Sequence, residues 1–178
     1  FQCSLPQDFT RLEEVIRKEK PDVLVNAIGY SNLDFCESNK EKAHLLHVKI
    51  SEKISNITEK SNTKIIFLSS DYVFDGLKGN YQETDIPNPI NYYGQTKVKA
   101  EEIILKNKNN SVLRTSVIYD WGIRVRFFNY VIENLKNQRK IKVTNAIFNS
   151  VTLIDNLIKA IFSVIEKDPE IRGASWLS

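Results

Sequence analysis

What most constrains this chain is the alternation of short, continuous apolar runs with longer stretches of helical periodicity. Val23-Leu24-Val25, Lys64-Ile65-Ile66-Phe67-Leu68 and Ser111-Val112-Leu113-Arg114-Thr115 lack the apolar–polar alternation of a half-solvated strand. Runs of this kind predict strands covered on both faces, which is the signature of a parallel sheet with helical crossovers. The intervening segments supply the helices. Leu12, Val15 and Ile16 fall three and four apart behind Asp8, a candidate N-cap, and Pro21 prevents that helix from continuing. Ser38-Asn39-Lys40-Glu41 reads as a capping box opening a helix with an apolar stripe at Ala43, Leu46, Ile50, Ile54 and Ile57. Tyr92 to about Asn107 is predicted helical, with Ala100, Ile103 and Ile104 facing inward. A helix near Phe127 to Lys136, a short strand at Ile141-Lys142-Val143 and an amphipathic helix from about Ile154 to Glu166 follow. The class is α/β, and in such sheets ligands bind outside the carboxyl ends of the strands.

The 178 residues suffice for one sizeable core. A formal net charge of +3, with acids and bases interleaved, leaves no basic stripe for a phosphate backbone, so no nucleic-acid partner is expected. No apolar run approaches the ~20 residues of a membrane span, and no signal peptide is recognisable at the start. Cys3 and Cys36, the only cysteines, have no neighbours at metal-ligand spacing; reduced thiols in a cytoplasmic protein, with no metal site, are the expectation. The sequence contains no methionine, even at position 1, so translation is expected to have begun upstream.

Three segments put chemistry at strand ends. In Tyr93-Gly94-Gln95-Thr96-Lys97 the tyrosine and lysine lie four apart, on one helical face. An ammonium beside a phenol lowers its pKa from ~10, making tyrosine a competent general acid or base for carbonyl–alcohol interconversion. The same spacing alone also fits a surface pair. Ser69-Ser70-Asp71 follows the second strand, where a hydroxyl can reach both a substrate carbonyl and the phenol, or simply form a turn. Asn26-Ala27-Ile28-Gly29-Tyr30 ends the first strand with small residues that let a flat cofactor approach the backbone; alternatively, Gly29 only supplies a positive φ. A long loop from about Tyr72 to Asn91 lies between these elements, a length usually reserved for function.

In order and spacing, Pro21-Asp22-Val23-Leu24-Val25-Asn26-Ala27, Ser69-Ser70-Asp71-Tyr72-Val73-Phe74-Asp75-Gly76, Tyr93-Gly94-Gln95-Thr96-Lys97 and Arg114-Thr115-Ser116 resemble the dTDP-4-dehydrorhamnose reductases, which are extended short-chain dehydrogenase/reductases. The resemblance runs from about Asp8 to Gly173. It implies a Rossmann-like doubly wound parallel sheet, and reduction of a 4-keto-6-deoxy sugar nucleotide by NADPH or NADH in dTDP-rhamnose biosynthesis. By that resemblance Ser70 orients the substrate ketone, Tyr93 donates the proton, and Lys97 tunes the phenol and holds the nicotinamide ribose. Asn26, Ala27, Gly29, Tyr30, Thr115 and Ser116 line the cofactor, while Asp71, Tyr72 and Phe74, with Ser70 and Tyr93, face the sugar nucleotide.

None of the six glycines forms the family's Gly-x-x-Gly-x-x-Gly phosphate turn. The sheet is therefore expected to lack its first strand–Gly-rich turn–helix unit, about 50–60 residues. Residues 1–140 read as an incomplete NAD(P)-binding domain, and 141–178 as the start of a substrate-binding region plus a core-packing helix. His47 stands where the family usually has an asparagine that supports the lysine through water; a lone helical histidine reads first as a packed or surface residue. Val117, Ala146-Ile147-Phe148 and Val151 also depart from the family, on the substrate side. The alternatives are a non-catalytic regulatory relative acting by protein binding, as in the regulatory subunit of methionine adenosyltransferase, or a nucleotide-sugar epimerase or dehydratase. In this superfamily helices such as those around 43–57 and 93–104 often form homodimers, and a segment ahead of residue 1 is the competing cover for them.

Overall fold

In a computed structural model, residues 9–120, 126–142, 150–166 and 173–177 are described. The elements run α1 (Phe9–Glu19), β1 (Val23–Asn26), α2 (Leu33–Ser38), α3 (Lys40–His44), a π-helical turn (Leu45–Lys49), α4 (Ile50–Ser61), β2 (Lys64–Ser70) and a 3-10 turn (Asp71–Val73). Then come α5 (Tyr92–Ile104), β3 (Ser111–Thr115), β4 (Ile118–Tyr119), α6 (Arg126–Lys136), β5 (Thr152–Leu153), α7 (Ile154–Glu166) and β6 (Gly173–Leu177).

The main sheet has the order β1-β2-β3-β6, and its three pairings are parallel. The three apolar runs form its first three strands, and six of the seven residues of β2 are buried because helices cover both of its faces. On one face Ile65, Phe67 and Val112 pack against Ile50 and Ile54 of α4 and Ala100 and Ile104 of α5. On the other, Ile66 and Leu113 meet Val164 of α7. At ~25 cal/mol per Å² of apolar area, each of these Ile, Leu, Val and Phe side chains contributes about 1.5–3 kcal/mol on burial.

Several elements differ from their sequence-based expectation. The capping box at Ser38 does not form. Asn32 caps instead, its Oδ1 accepting the Phe35 N–H at 2.8 Å, and Ser38 becomes the last residue of α2. Asn39 then closes α2 through its backbone N–H to the Phe35 carbonyl, and its side chain makes no cap bond to α3. An asparagine competes for nearby backbone groups as well as the serine beside it, and here two of them divide the segment. Residues 141 and 142 form no strand, and Val143 lies outside the described residues, as do Asp8, Cys3 and 146–148. A second, two-residue parallel pair, β4 with β5, and the strand β6 had no legible signal. The apolar stripes that made 43–57 and 93–104 candidates for a dimer face are largely spent inside: Ala43, Ile50, Ile54, Ala100 and Ile104 are all at most 1% exposed. The outward groove between α4 and α5 is lined instead by Glu52, Ser55, Asn56, Glu59, Lys106 and Asn107 around Ile103. No helix among the described residues is long and apolar enough to cross a membrane.

Candidate active site

The carboxyl edge of the sheet gathers the singled-out residues because the register places their strand ends together. Asn26 pairs with Phe67, and Ser70 pairs with Thr115, so β2 and β3 end side by side while β1 stops three residues short of the end of β2. Asn26, only 2% exposed, accepts the Ile28 N–H on its own Oδ1 at 3.1 Å. That Asx turn leaves Ala27 and Gly29 exposed on the edge and Tyr30 half-buried.

Tyr93 is delivered by the start of α5. Asn91 caps this helix, its Oδ1 accepting the Gly94 N–H at 2.8 Å, and Glu37 accepts the Tyr92 N–H. Gly94 lets the helix press onto the loop after β2: a Cβ there would overlap the Tyr72 carbonyl oxygen and lie 2.8 Å from Pro89 Cβ. The close approach brings the Tyr72 and Tyr93 rings edge to face, 5.9 Å between centroids.

The Tyr93 phenol lies close enough to Ser70 for that side chain to act on its ionisation. Burial pushes its pKa above the usual 10; Ser70 opposes this, and Asp71, Cys36 and Tyr72 add to it. The phenol therefore holds its proton at neutral pH. Ser70 in turn donates to Asp71 Oδ1 at 3.0 Å, and Ser116 donates to Asp71 Oδ2 at 2.7 Å. Asp71 thus ties the end of β2 to the residue after β3. Thr115 is buried, with a long 3.4 Å bond to the Ser69 carbonyl.

Lys97 shares a face of α5 with Tyr93, but its ammonium donates to the Leu68 carbonyl at 2.7 Å and sits 4.0 Å from the Phe67 ring centroid. Burial lowers its pKa to about 7, while Glu101 pulls upward. The phenol is held up by burial, and the lysine is not among the groups that lower it. The helical spacing predicted the shared face correctly; where the ammonium points depends on a carbonyl of β2.

Phe74 is not brought to this cleft. It is 4% exposed, stacked on Tyr81 at 4.3 Å, with the Arg114 guanidinium 5.2 Å from its ring centroid. It anchors the long loop, which Asp75 closes by accepting the Tyr81 hydroxyl, the Leu77 N–H and the Asn88 amide. Sequence reasoning understated His47. The ring is 1% exposed, and both nitrogens are engaged, one with Tyr30 and one with Thr96. A polar residue in the apolar stripe of residues 43–57 was the available signal.

Ala27 and Gly29, exposed at the end of β1, leave room for a flat ring, and Lys97 has donor capacity beyond the bond given to Leu68 that suits a ribose hydroxyl. The residues present thus fit the nicotinamide-ribose half of a dinucleotide.

A family profile described as the RmlD substrate binding domain matches residues 5–174. The beta subunit of methionine adenosyltransferase 2 from Xenopus laevis is 37% identical over 120 residues, covering 67% of this chain and 36% of that protein. The dTDP-4-dehydrorhamnose reductase of Salmonella typhimurium is 32% identical over 166 residues, 90% of this chain and 55% of the relative. The chain therefore spans about a third to just over half of these relatives. Among solved structures, dTDP-4-dehydrorhamnose reductase from Bacillus anthracis in complex with NADP superposes with a TM-score of 0.85 at 23% identity, covering 96% of this chain and 61% of that one. The Yersinia enterocolitica reductase gives 0.79 at 26% identity, with 89% and 57% covered.

Proposed function

The chain belongs to the RmlD substrate binding domain family, and on that premise we propose that it is the catalytic portion of an NAD(P)H-dependent reductase of 4-keto-6-deoxy sugar nucleotides. The observation that carries this reading is the neutral phenol of Tyr93 next to Ser70 at the carboxyl edge of a parallel sheet, with Ala27 and Gly29 exposed at the same edge. Ala27, Gly29, Tyr30, Lys97, Thr115 and Ser116 would hold the nicotinamide end of the cofactor, with Asn26 shaping the turn. Bound there, a reduced nicotinamide would supply hydride to the substrate carbon.

The residues of the chain do the rest. On substrate binding Ser70 would turn its one hydroxyl proton from Asp71 to the carbonyl oxygen that Tyr93 also reaches, and the two would orient it. As negative charge develops on that oxygen, Tyr93 transfers its proton there, which a phenol that stays neutral at pH 7 is ready to do. Asp71 keeps Ser70 and Ser116 in place through its two carboxylate oxygens. Lys97, one helical turn from Tyr93, would hold the nicotinamide ribose through its ammonium. Asp71 and Tyr72 would border the sugar.

The test is NADPH oxidation by the full-length protein with a dTDP-4-keto-6-deoxy sugar. Tyr93→Phe should lower kcat by about 10²–10⁴-fold; turnover unchanged by that substitution sinks the proposal. The identity to a methionine adenosyltransferase beta subunit supports a second reading, a regulatory chain that works by binding another protein. A stable complex with a methionine adenosyltransferase catalytic chain, unaffected by Tyr93→Phe and without NADPH turnover, would favour it.

A further inference from the structure

His47 occupies the π-helical turn between α3 and α4, a widened turn that often marks a functional position. The carbonyl of His47 accepts the Ser51 hydroxyl at 2.7 Å, so the widened turn is not left short of partners. Its ring bridges two elements distant in sequence. Nε2 accepts the backbone N–H of Tyr30 at 2.8 Å, and Nδ1 lies 2.7 Å from Thr96 Oγ1. The Thr96 hydroxyl is itself committed, donating to the Tyr93 carbonyl at 2.7 Å.

These bonds determine the tautomer. An amide N–H can only donate, so Nε2 carries no proton. The single hydroxyl proton of Thr96 goes to a carbonyl, so Thr96 must accept from the ring, and the proton of the neutral imidazole is on Nδ1. Two separate constraints give one answer. The imidazole also stands edge-on to the Tyr93 ring, 5.6 Å between centroids, and a Cβ on Gly29 would come within 3.2 Å of Nε2. The Gly29–Tyr30 turn is therefore pressed directly onto the histidine, and the histidine onto the tyrosine.

We propose that His47 is a positioning residue, a neutral Nδ1–H imidazole that ties the Gly29–Tyr30 turn to the backbone of Tyr93 and so sets the spacing between the cofactor side and the proton-donor side of the site. A protonated ring could not do this, because Nε2–H would face the Tyr30 N–H. Burial, and then the Lys97 charge, push its pKa down to about 4 and keep it neutral. The positional claim stands on contacts alone; its consequence for turnover rests on the reductase reading of Tyr93.

The experiment has one arm that needs no turnover and one that does. In the ¹⁵N-histidine-labelled full-length protein, long-range ¹H–¹⁵N correlations should assign the proton of His47 to Nδ1. In His47→Phe, which keeps a ring but neither bond, exchange of the Tyr30 amide should accelerate about 10-fold or more. Kinetically, His47→Phe should lower kcat by about 10–100-fold through misplacement of Tyr93 and raise KM for NADPH, with His47→Gln recovering part of the loss by restoring an acceptor toward Tyr30. Thr96→Val should lower kcat while leaving KM for NADPH nearly unchanged. An Nε2-protonated ring overturns the proposal, and so does His47→Phe with unaltered Tyr30 exchange or unaltered kcat. If His47→Phe does not fold, the tautomer of the parent protein and the Thr96→Val kinetics still decide. Should Tyr93→Phe prove fully active, the reductase reading fails by itself, while the tautomer and the Tyr30 exchange continue to judge the positioning role.

Discussion

Glu101→Gln should be among the most damaging single-atom-scale changes in this protein. Glu101 on α5 and Arg114 on β3 form a bidentate pair, Nε to Oε1 at 3.1 Å and Nη2 to Oε2 at 2.7 Å, with both side chains 4% exposed. The third guanidinium nitrogen, Nη1, has no partner among the described residues. Glutamine keeps the shape but removes the charge, and turns an amide NH₂ toward a guanidinium that can only donate. The guanidinium cannot escape by losing its proton, so it stays charged and uncompensated in the interior. Breaking such a buried pair costs about 3–5 kcal/mol, a large share of the 5–15 kcal/mol that holds a domain folded. With a urea m-value of about 2 kcal/mol/M, the midpoint should fall by about 1.5–2.5 M at constant m. Replacing both partners by apolar residues, Glu101→Leu with Arg114→Met, should recover most of the loss, because the cost lies in the orphaned charge rather than in missing attraction. The same substitution reaches the site. Burial lowers the Lys97 pKa and Glu101 opposes it, so removing the carboxylate should carry the Lys97 titration below its value of about 7, read from its ε-methylene resonances. A loss of stability under about 1 kcal/mol, or a Lys97 titration that does not move down, would refute this account of the pair.

Three further outcomes are expected. His47 titrates near 4 when folded against 6.5 in the unfolded chain, so between those values the unfolded state binds the extra proton. Its contribution is complete above pH 6.5 and is lost as pH falls toward 4, a total of about 3 kcal/mol; urea midpoints measured across that window should flatten in His47→Asn, and an unchanged pH slope contradicts the assignment. Gly94→Ala should push α5 off the Tyr72 backbone, costing about 1–3 kcal/mol or more and about 10²-fold in kcat; a crystal structure of the variant with α5 unshifted would speak against it. Asp75→Ala should open the loop of residues 76–91 to limited proteolysis while leaving the urea midpoint nearly unchanged, since Asp75 ties together only loop groups.

Much of the molecule was legible before any coordinates. The runs at 23–25, 64–68 and 111–115 became adjacent parallel strands, and the last helix begins at Ile154 and ends at Glu166 as its periodicity indicated. Tyr93 and Lys97 share a helical face because a four-residue offset closes one turn whatever surrounds it. These are local properties, set by backbone geometry and by which side chains avoid water. What the tertiary structure alone decided is where each polar group finds its partner. Lys97 turns to a carbonyl of β2, Asp71 joins two strand ends, Phe74 goes under the loop, and His47 links residues 30 and 96. The period of a pattern says which way a side chain faces, but a buried charge or imidazole takes its protonation state from desolvation and from donors and acceptors many residues away, and these exist only once the helices have packed onto the sheet.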